Sequence, residues 1–415
     1  MNKNRLILSN TNVVDNTVEY IYEVTGEWSR FFIDGETFFI EYDFPLDGIP
    51  SGILVIPFLS NVLPISWVSD AEIIVPEIDR DFYESIPEFK QGYINMYPMI
   101  NFKGNLCAEQ IVKYEGPRSD CAMLFSGGVD SKHTMISHLN EKPALICIWG
   151  ADVYLDDEKG WSRVNTHLTE TADNYGFNHA TIKSSFRKII NQGELDLCVS
   201  ASGNGWWYGF QHGIALICHT APYMYVNKLK TLYIASSIKA TEDSPIASYY
   251  TIDPFVRFSG SNVVHDGANH NRQEKICEIC TYANKMNKEI HMRVCWQSLG
   301  GGNCNNCEKC FRTMLAIVAE GHNPVDYGFV WNKQVKRRLK CNFLLRYPIS
   351  IRDGLRYGPT IERIRETAVT KEQKKQWRWL ITKTPEQLDN TFGKKLFNFI
   401  KKTRIWRFIR QRIRK

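Results

Sequence analysis

Long unbroken apolar runs are scarce in this chain of 415 residues. The longest uncharged stretch, Gly48 to Ser69, is interrupted by Pro50, Pro57, Ser60, Asn61 and Pro64. It is long enough to span a bilayer but too broken for a membrane helix, and it reads as paired strands. Met1 to Asn12 lacks the charged region and following apolar run of a secretory signal, so the expected compartment is the cytoplasm. There the 12 cysteines are expected as reduced thiols or metal ligands rather than disulfides. Internal repeats of useful length and low-complexity tracts are also missing. With 43% hydrophobic and 13% aromatic residues, global disorder and collagen-like folds are excluded, and the length suits two or three domains.

Acidic residues are nearly absent from one end. Residues 331–415 hold 25 of the 51 basic residues but only 6 of the 45 acidic ones, a net +19, which leaves the remainder at −13. The overall +6 therefore hides an acidic body and a basic tail. Such asymmetry points to an anionic partner for the tail, either RNA or a membrane surface.

Three zones follow from composition. Residues 1–115 are expected to form a β-rich N-terminal domain, with strand-like runs at Arg30 to Ile33, Thr37 to Tyr42, Ile53 to Phe58 and Glu72 to Val75. No chemistry-bearing motif stands out there. Residues 116–325 alternate: strands are expected at Cys121 to Phe125, Ala144 to Trp149, His179 to Lys183 and Leu232 to Ala235. Helices are expected at Ser131 to Leu139, through Trp161, Val164, Leu168, Ala172 and Tyr175, and at Tyr208 to Cys218. This is an α/β pattern, an open parallel sheet with helices on both faces. Residues 326–415 are basic and helix-leaning.

The Walker pattern GxxxxGK[ST] is missing, yet Ser126-Gly127-Gly128-Val129-Asp130-Ser131 joins an apolar strand to a helix. Two glycines permit a tight turn whose amides converge at a helix N-terminus, a setting that favours phosphate. The Ser126 and Ser131 hydroxyls can add hydrogen bonds. Asp130 would repel phosphate unless it held Mg²⁺, directly or through water.

Further along, Cys295-x8-Cys304-x2-Cys307-x2-Cys310 supplies four thiolates, a complete tetrahedral shell for Zn²⁺ with no open position and hence a structural site. Gly300 to Gly302 supplies the flexible return from Cys295. Cys277 and Cys280 are a rival pair on a helix: core residues, a redox pair, or partners of Cys307 and Cys310.

The first motif resembles the SGGxDS signature of the PP-loop ATP pyrophosphatases. Joined to the late four-cysteine spacing, it is similar to the 7-cyano-7-deazaguanine synthase family of the queuosine pathway, over roughly residues 118–320. The resemblance implies a PP-loop (HUP-like) nucleotide-binding domain that cleaves ATP between its α- and β-phosphates. It also implies an adenylated carboxylate, attack by ammonia or an amine, and release of pyrophosphate. In that family the loop lies close to the N-terminus, whereas here roughly 120 residues precede it, and the family's substrate-recognition segment is not recognisable. The chain thus reads as a divergent branch with N- and C-terminal extensions.

Other polar candidates follow the expected strands, where open sheets bind ligands. Gly150-Ala151-Asp152 could meet the adenosine, and Ser236-Ser237 could bind adenylate or substrate. Ser184, Ser185 and Arg187 follow the third strand, and Gly203, Trp206, Trp207, His212 and Gly213 approach a helix. Asp253, Ser259, His265, Asp266, Gly267 and Arg272 come later. Each has a structural alternative, and no general base is identifiable. Lys394 to Lys415 carries ten basic residues, no acids and interleaved aromatics. That pattern suits a membrane-surface helix, an RNA contact or a docked terminal helix. Two competing functions use the same residues: a PP-loop tRNA-thiolating enzyme with Cys277 and Cys280 handling sulfur, or a non-catalytic nucleotide-binding zinc adaptor.

Overall fold

The structure is a computed structural model that describes residues 4–114, 116, 118–241, 245–295, 300–345, 354–391 and 393–395. From residue 396 onward the basic segment Lys394 to Lys415 lies outside the described residues. The chain forms two compact units: Met1–Ser126 with Asp130–Asn269 and Leu299–Gly301, and Gly127–Val129 with His270–Ser298 and Gly302–Lys415.

The first unit is organised by one eleven-stranded sheet. Its strands in chain order are β1 (Arg5–Val14), β2 (Thr17–Thr25), β3 (Phe39–Tyr42), β4 (Glu72–Asp79), β5 (Asn105–Val112) and β6 (Ser119–Leu124). They continue with β7 (Ala144–Trp149), β8 (His179–Ser184), β9 (Leu229–Ala235), β10 (Arg257–Phe258) and β11 (Ser261–Asp266). The spatial order is β10-β11-β9-β6-β7-β8-β3-β2-β1-β4-β5. Within it β8-β7-β6-β9-β11 are mutually parallel. β3 joins antiparallel to β8 through Ile40↔Ser184, Glu41↔Lys183 and Tyr42↔Ile182. The N-terminal strands therefore extend the same sheet, and the division expected near residue 115 does not separate two sheets.

The helices of this part are α1 (Ser51–Leu54), α2 (Ile56–Ser69), α3 (Arg80–Met96), α4 (Val129–Ser137), α5 (Glu158–Tyr175), α6 (Gln192–Cys198), α7 (His212–His219) and α8 (Ala221–Val226). Alternate residues of the central strands feed two cores, as a two-residue period requires. Cys121, Met123, Leu145 and Cys147 pack with Met135 of α4 and Val164, Leu168 and Ala172 of α5. Ala122, Ala144, Ile146 and Ile148 join the larger core that holds α2, α7 and α8. Helices thus cover both faces.

Two stretches expected as strands are corrected. Gly48 to Ser69 is not a pair of strands: it folds as α1 and α2, with every residue from Ile56 to Trp67 buried. A helix surrounded by core on all sides has no polar face, so its 3.6-residue period is invisible. Its polar groups are satisfied internally. Asn61 Nδ2 donates to Pro57 O at 2.8 Å, and Asn61 Oδ1 accepts from Gln211 Nε2 at 2.7 Å. Arg30 to Ile33 is also not a strand. Gly26–Phe31 is a 3₁₀ turn that buries Trp28 and Phe31.

The second unit carries α9 (Arg272–Met286), α10 (Glu308–Ala319), α11 (Lys333–Leu345), α12 (Gly354–Thr367), α13 (Lys371–Ile381) and α14 (Pro385–Asp389). Thr370 and Thr384 each close a capping box, with Gln373 and Gln387, which fixes where α13 and α14 start. Glu320 accepts a two-nitrogen hydrogen bond from Arg363, tying α12 to the end of α10. Among the described residues no helix is long and apolar enough to cross a membrane.

Candidate functional site

The central parallel strands run in the order third, second, first, fourth, fifth. The chain moves from β6 outward through β7 to β8, then returns to the other side of β6 for β9 and β11. Loops leaving β6 and β9 therefore diverge, which opens a crevice at the carboxyl ends of the strands. Ser126-Gly127-Gly128 leaves β6 at that switch point and runs directly into α4.

Gly127 has φ +73°, a left-handed conformation that a side chain resists. Ser126 is exposed, Gly128 and Asp130 are half-buried, and Ser131 is buried. The Ser126 and Ser131 hydroxyl oxygens lie 3.3 Å apart, so the two ends of the loop close on each other.

The far end of α4 is anchored to β11. Thr134 Oγ1 donates to Asp266 Oδ2 at 2.6 Å, and His138 lies between two carboxylates, 2.6 Å from Glu141 and 3.2 Å from Asp266. Ionised carboxylates only accept, so this placement favours the doubly protonated imidazolium form of His138. Burial pulls its pKa down, but the bonds to Glu141 and Asp266 outweigh it and hold it above the ordinary value. Asp266 is thus a brace for α4. Lys132, one residue beyond the motif, is buried. Its Nζ donates to Thr171 Oγ1 at 3.1 Å and lies 5.0 Å from the Phe125 ring centre. Burial pushes its pKa down to about 7. Neither residue was found by sequence reasoning. Lys132 follows the motif without belonging to it, and His138 is defined by partners far away in sequence.

The structure sorts the remaining candidates. Asp152 and Ser237 are exposed at the ends of β7 and β9, whereas Ser236 is buried and donates to Ile238 O at 2.6 Å. Ser184 and Ser185 are structural. Ser184 Oγ pairs with His219 Nε2 at 2.9 Å, and Ser185 Oγ donates to Thr37 O at 2.7 Å while accepting from Phe39 N. Trp206 is fully buried and stacks on Phe210. Asp253 Oδ2 accepts from Ser248 Oγ and from His265 Nδ1, both at 2.7 Å. By strand alternation this buried group lies on the sheet face opposite Asp266.

In the second unit Cys295, Cys304, Cys307 and Cys310 converge, with all four sulfurs within 4.8 Å of one another. The Cys295–Cys307 and Cys304–Cys310 sulfur separations are 3.7 and 3.9 Å. These are far too long for disulfides, and they bracket the edge of about 3.8 Å that a tetrahedron with metal–sulfur bonds of about 2.3 Å requires. Cys307 caps α10 and accepts from Cys310 N, while Cys304 Sγ accepts from Cys307 N at 3.2 Å. Such backbone donors turn lone pairs inward and stabilise thiolates. Asn303 fixes the turn, accepting from Val294 N and donating to Met292 O and Gly328 O. Hydrogen bonding from Cys307 pulls the Cys295 thiol well below its ordinary value, and the same contact pushes Cys307 up. The set could hold a metal such as zinc.

Cys277 and Cys280 do not join this set. Cys280 is buried, and burial pushes its thiol up to about 12; burial also raises Cys277. Neither is poised as a thiolate.

Comparison of the chain with family models, curated proteins and solved structures returns no match.

Proposed function

We propose that the protein is an ATP-dependent adenylating ligase of the PP-loop type. It cleaves ATP to AMP and pyrophosphate and activates a carboxylate or amide of a small acceptor for attack by ammonia or an amine. The observation that carries this reading is the position of Ser126 to Ser131. The only SGGxDS hexapeptide in the chain leaves the central strand at the topological switch point and opens a helix there.

In this reading the loop amides and the N-terminus of α4 cradle the polyphosphate, with hydrogen bonds from Ser126 and Ser131. Asp130 would hold Mg²⁺, which when bound would supply positive charge against the phosphates. Asp152 and Ser237 border the same strand ends and are available to adenosine or acceptor. The His138–Asp266 pair keeps α4 in register behind the loop. Zn²⁺ at the four cysteines is structural, since a closed thiolate shell leaves no position for substrate.

The thiolating alternative draws no support from Cys277 and Cys280, whose thiols are driven toward the protonated form. The ligase reading is tested by Asp130→Ala. The variant is expected to fold, keep its metal and lose ATP-dependent pyrophosphate release. Unchanged release would remove Asp130 and the loop from the mechanism.

A further inference from the structure

Arg187 follows β8 at the carboxyl edge of the parallel strands and is only half-exposed. Its guanidinium carbon lies 4.3 Å from the Trp207 ring centre and 6.0 Å from that of Tyr154. Nη1 donates to Ala151 O at 2.7 Å and Nη2 to Gln192 Oε1 at 3.4 Å. A guanidinium has five N–H groups, so these acceptors occupy two. Among the described residues Arg187 forms no ion pair. Asp152 is the acid whose field reaches it, and that side chain is exposed.

A cation partly removed from water without a counter-charge is costly, and such a group at the ligand-binding ends of parallel strands is a candidate for meeting an anion. The surroundings fit a ligand better than a brace. Tyr154 is 60% exposed and Trp207 half-exposed, so aromatic faces flank the guanidinium and remain reachable. Trp207 also opens the π-helical turn Trp207–Gln211, a widening that proteins place disproportionately at functional positions. Gly150, next to the Ala151 acceptor, has φ +106°, and a Cβ there would meet Ser184 O at 2.0 Å. The loop carrying Ala151 is therefore pressed against the end of β8, which fixes the Arg187 anchor.

We propose that Arg187, flanked by Tyr154 and Trp207, is an oxyanion-binding subsite distinct from the phosphate loop. It takes a carboxylate or phosphate group through the planar fork of the guanidinium. Assigning that oxyanion to the acceptor rests on the ligase reading; the subsite itself does not.

The test uses the full-length protein with ¹⁵N-labelled arginine, titrated with benzoate and, separately, with inorganic phosphate against chloride at matched ionic strength. Saturable shifts of the Arg187 Nε–H signal are expected, with Trp207 fluorescence changing in parallel. Tighter benzoate binding identifies a carboxylate ligand, and tighter phosphate binding a phosphate ligand. Arg187→Gln is expected to weaken the preferred anion by about ten-fold or more while MgATP still binds. Because the signal is read in the unsubstituted protein, misfolding of the variant would not obscure it. No saturable response to either anion, or equal binding by Arg187→Gln, overturns the subsite. Anion binding through Arg187 without any MgATP binding would instead sink the ligase reading and leave the subsite standing.

Discussion

The left-handed backbone of Gly127 is the smallest feature on which the nucleotide reading turns. A Cβ there costs about 1 kcal/mol or more and would relax by opening the loop. Gly127→Ala is expected to fold with a slightly lower melting temperature but to bind MgATP at least ten-fold more weakly, as isothermal titration would show. At the same scale His219 is fully buried and neutral, donating through Nδ1 to Ala215 O and accepting at Nε2 from Ser184. Burial pushes its pKa down from 6.5 to about 4. The unfolded chain therefore binds a proton that the folded one refuses. Stability from this group is complete above about pH 6.5 and is lost as pH falls toward 4. The advantage of the unsubstituted protein over His219→Gln should shrink by about 2–3 kcal/mol between those limits, measured by denaturant titration. His219 carries no sequence signal, because its role depends on Ser184, which lies 35 residues away.

Among elements, the segment from β6 to β8 was legible and α2 was not. Ala144–Trp149 coincides with its expected strand because a six-residue apolar run is too short for a core helix, and α5 follows the apolar spacing of Trp161 to Tyr175 because one of its faces meets solvent. Residues 52–67 are all buried, and a continuous apolar run does not distinguish strand from helix. The hydroxyl pairs after the strands were legible as positions but not as roles: Ser184 and Ser185 are consumed by β3 and His219, and Ser237 alone is exposed among the four. The convergence of Cys295, Cys304, Cys307 and Cys310 was legible, since two-residue spacings leave few geometries, but the exclusion of Cys277 and Cys280 was not. Metal analysis should find one zinc per chain. A strong chelator, or Cys307→Ser, is expected to lower the melting temperature by ten degrees or more, because a structural zinc contributes several kcal/mol to the fold around it. An unchanged melting temperature in the metal-free protein would contradict a structural role.

For the molecule as a whole, the charge division between an acidic body and a basic end stands in the sequence, but the continuity of the sheet does not. Pairing of β3 with β8 joins residues more than a hundred positions apart, and composition carries no trace of it. Residues 1–115 expressed alone should consequently fail to give a soluble folded species, since β3 loses its neighbour and α2 its packing against α7. Dispersed amide signals from that fragment would show that it is an independent domain.

The central claim concerns which bond of ATP is broken. ATP labelled at the α-phosphate, incubated with Mg²⁺, ammonium and a small-molecule cell extract, is the direct measurement. The account predicts labelled AMP with stoichiometric pyrophosphate, both absent with Asp130→Ala. Labelled ADP with inorganic phosphate, or no nucleotide product under any supplement, would contradict it.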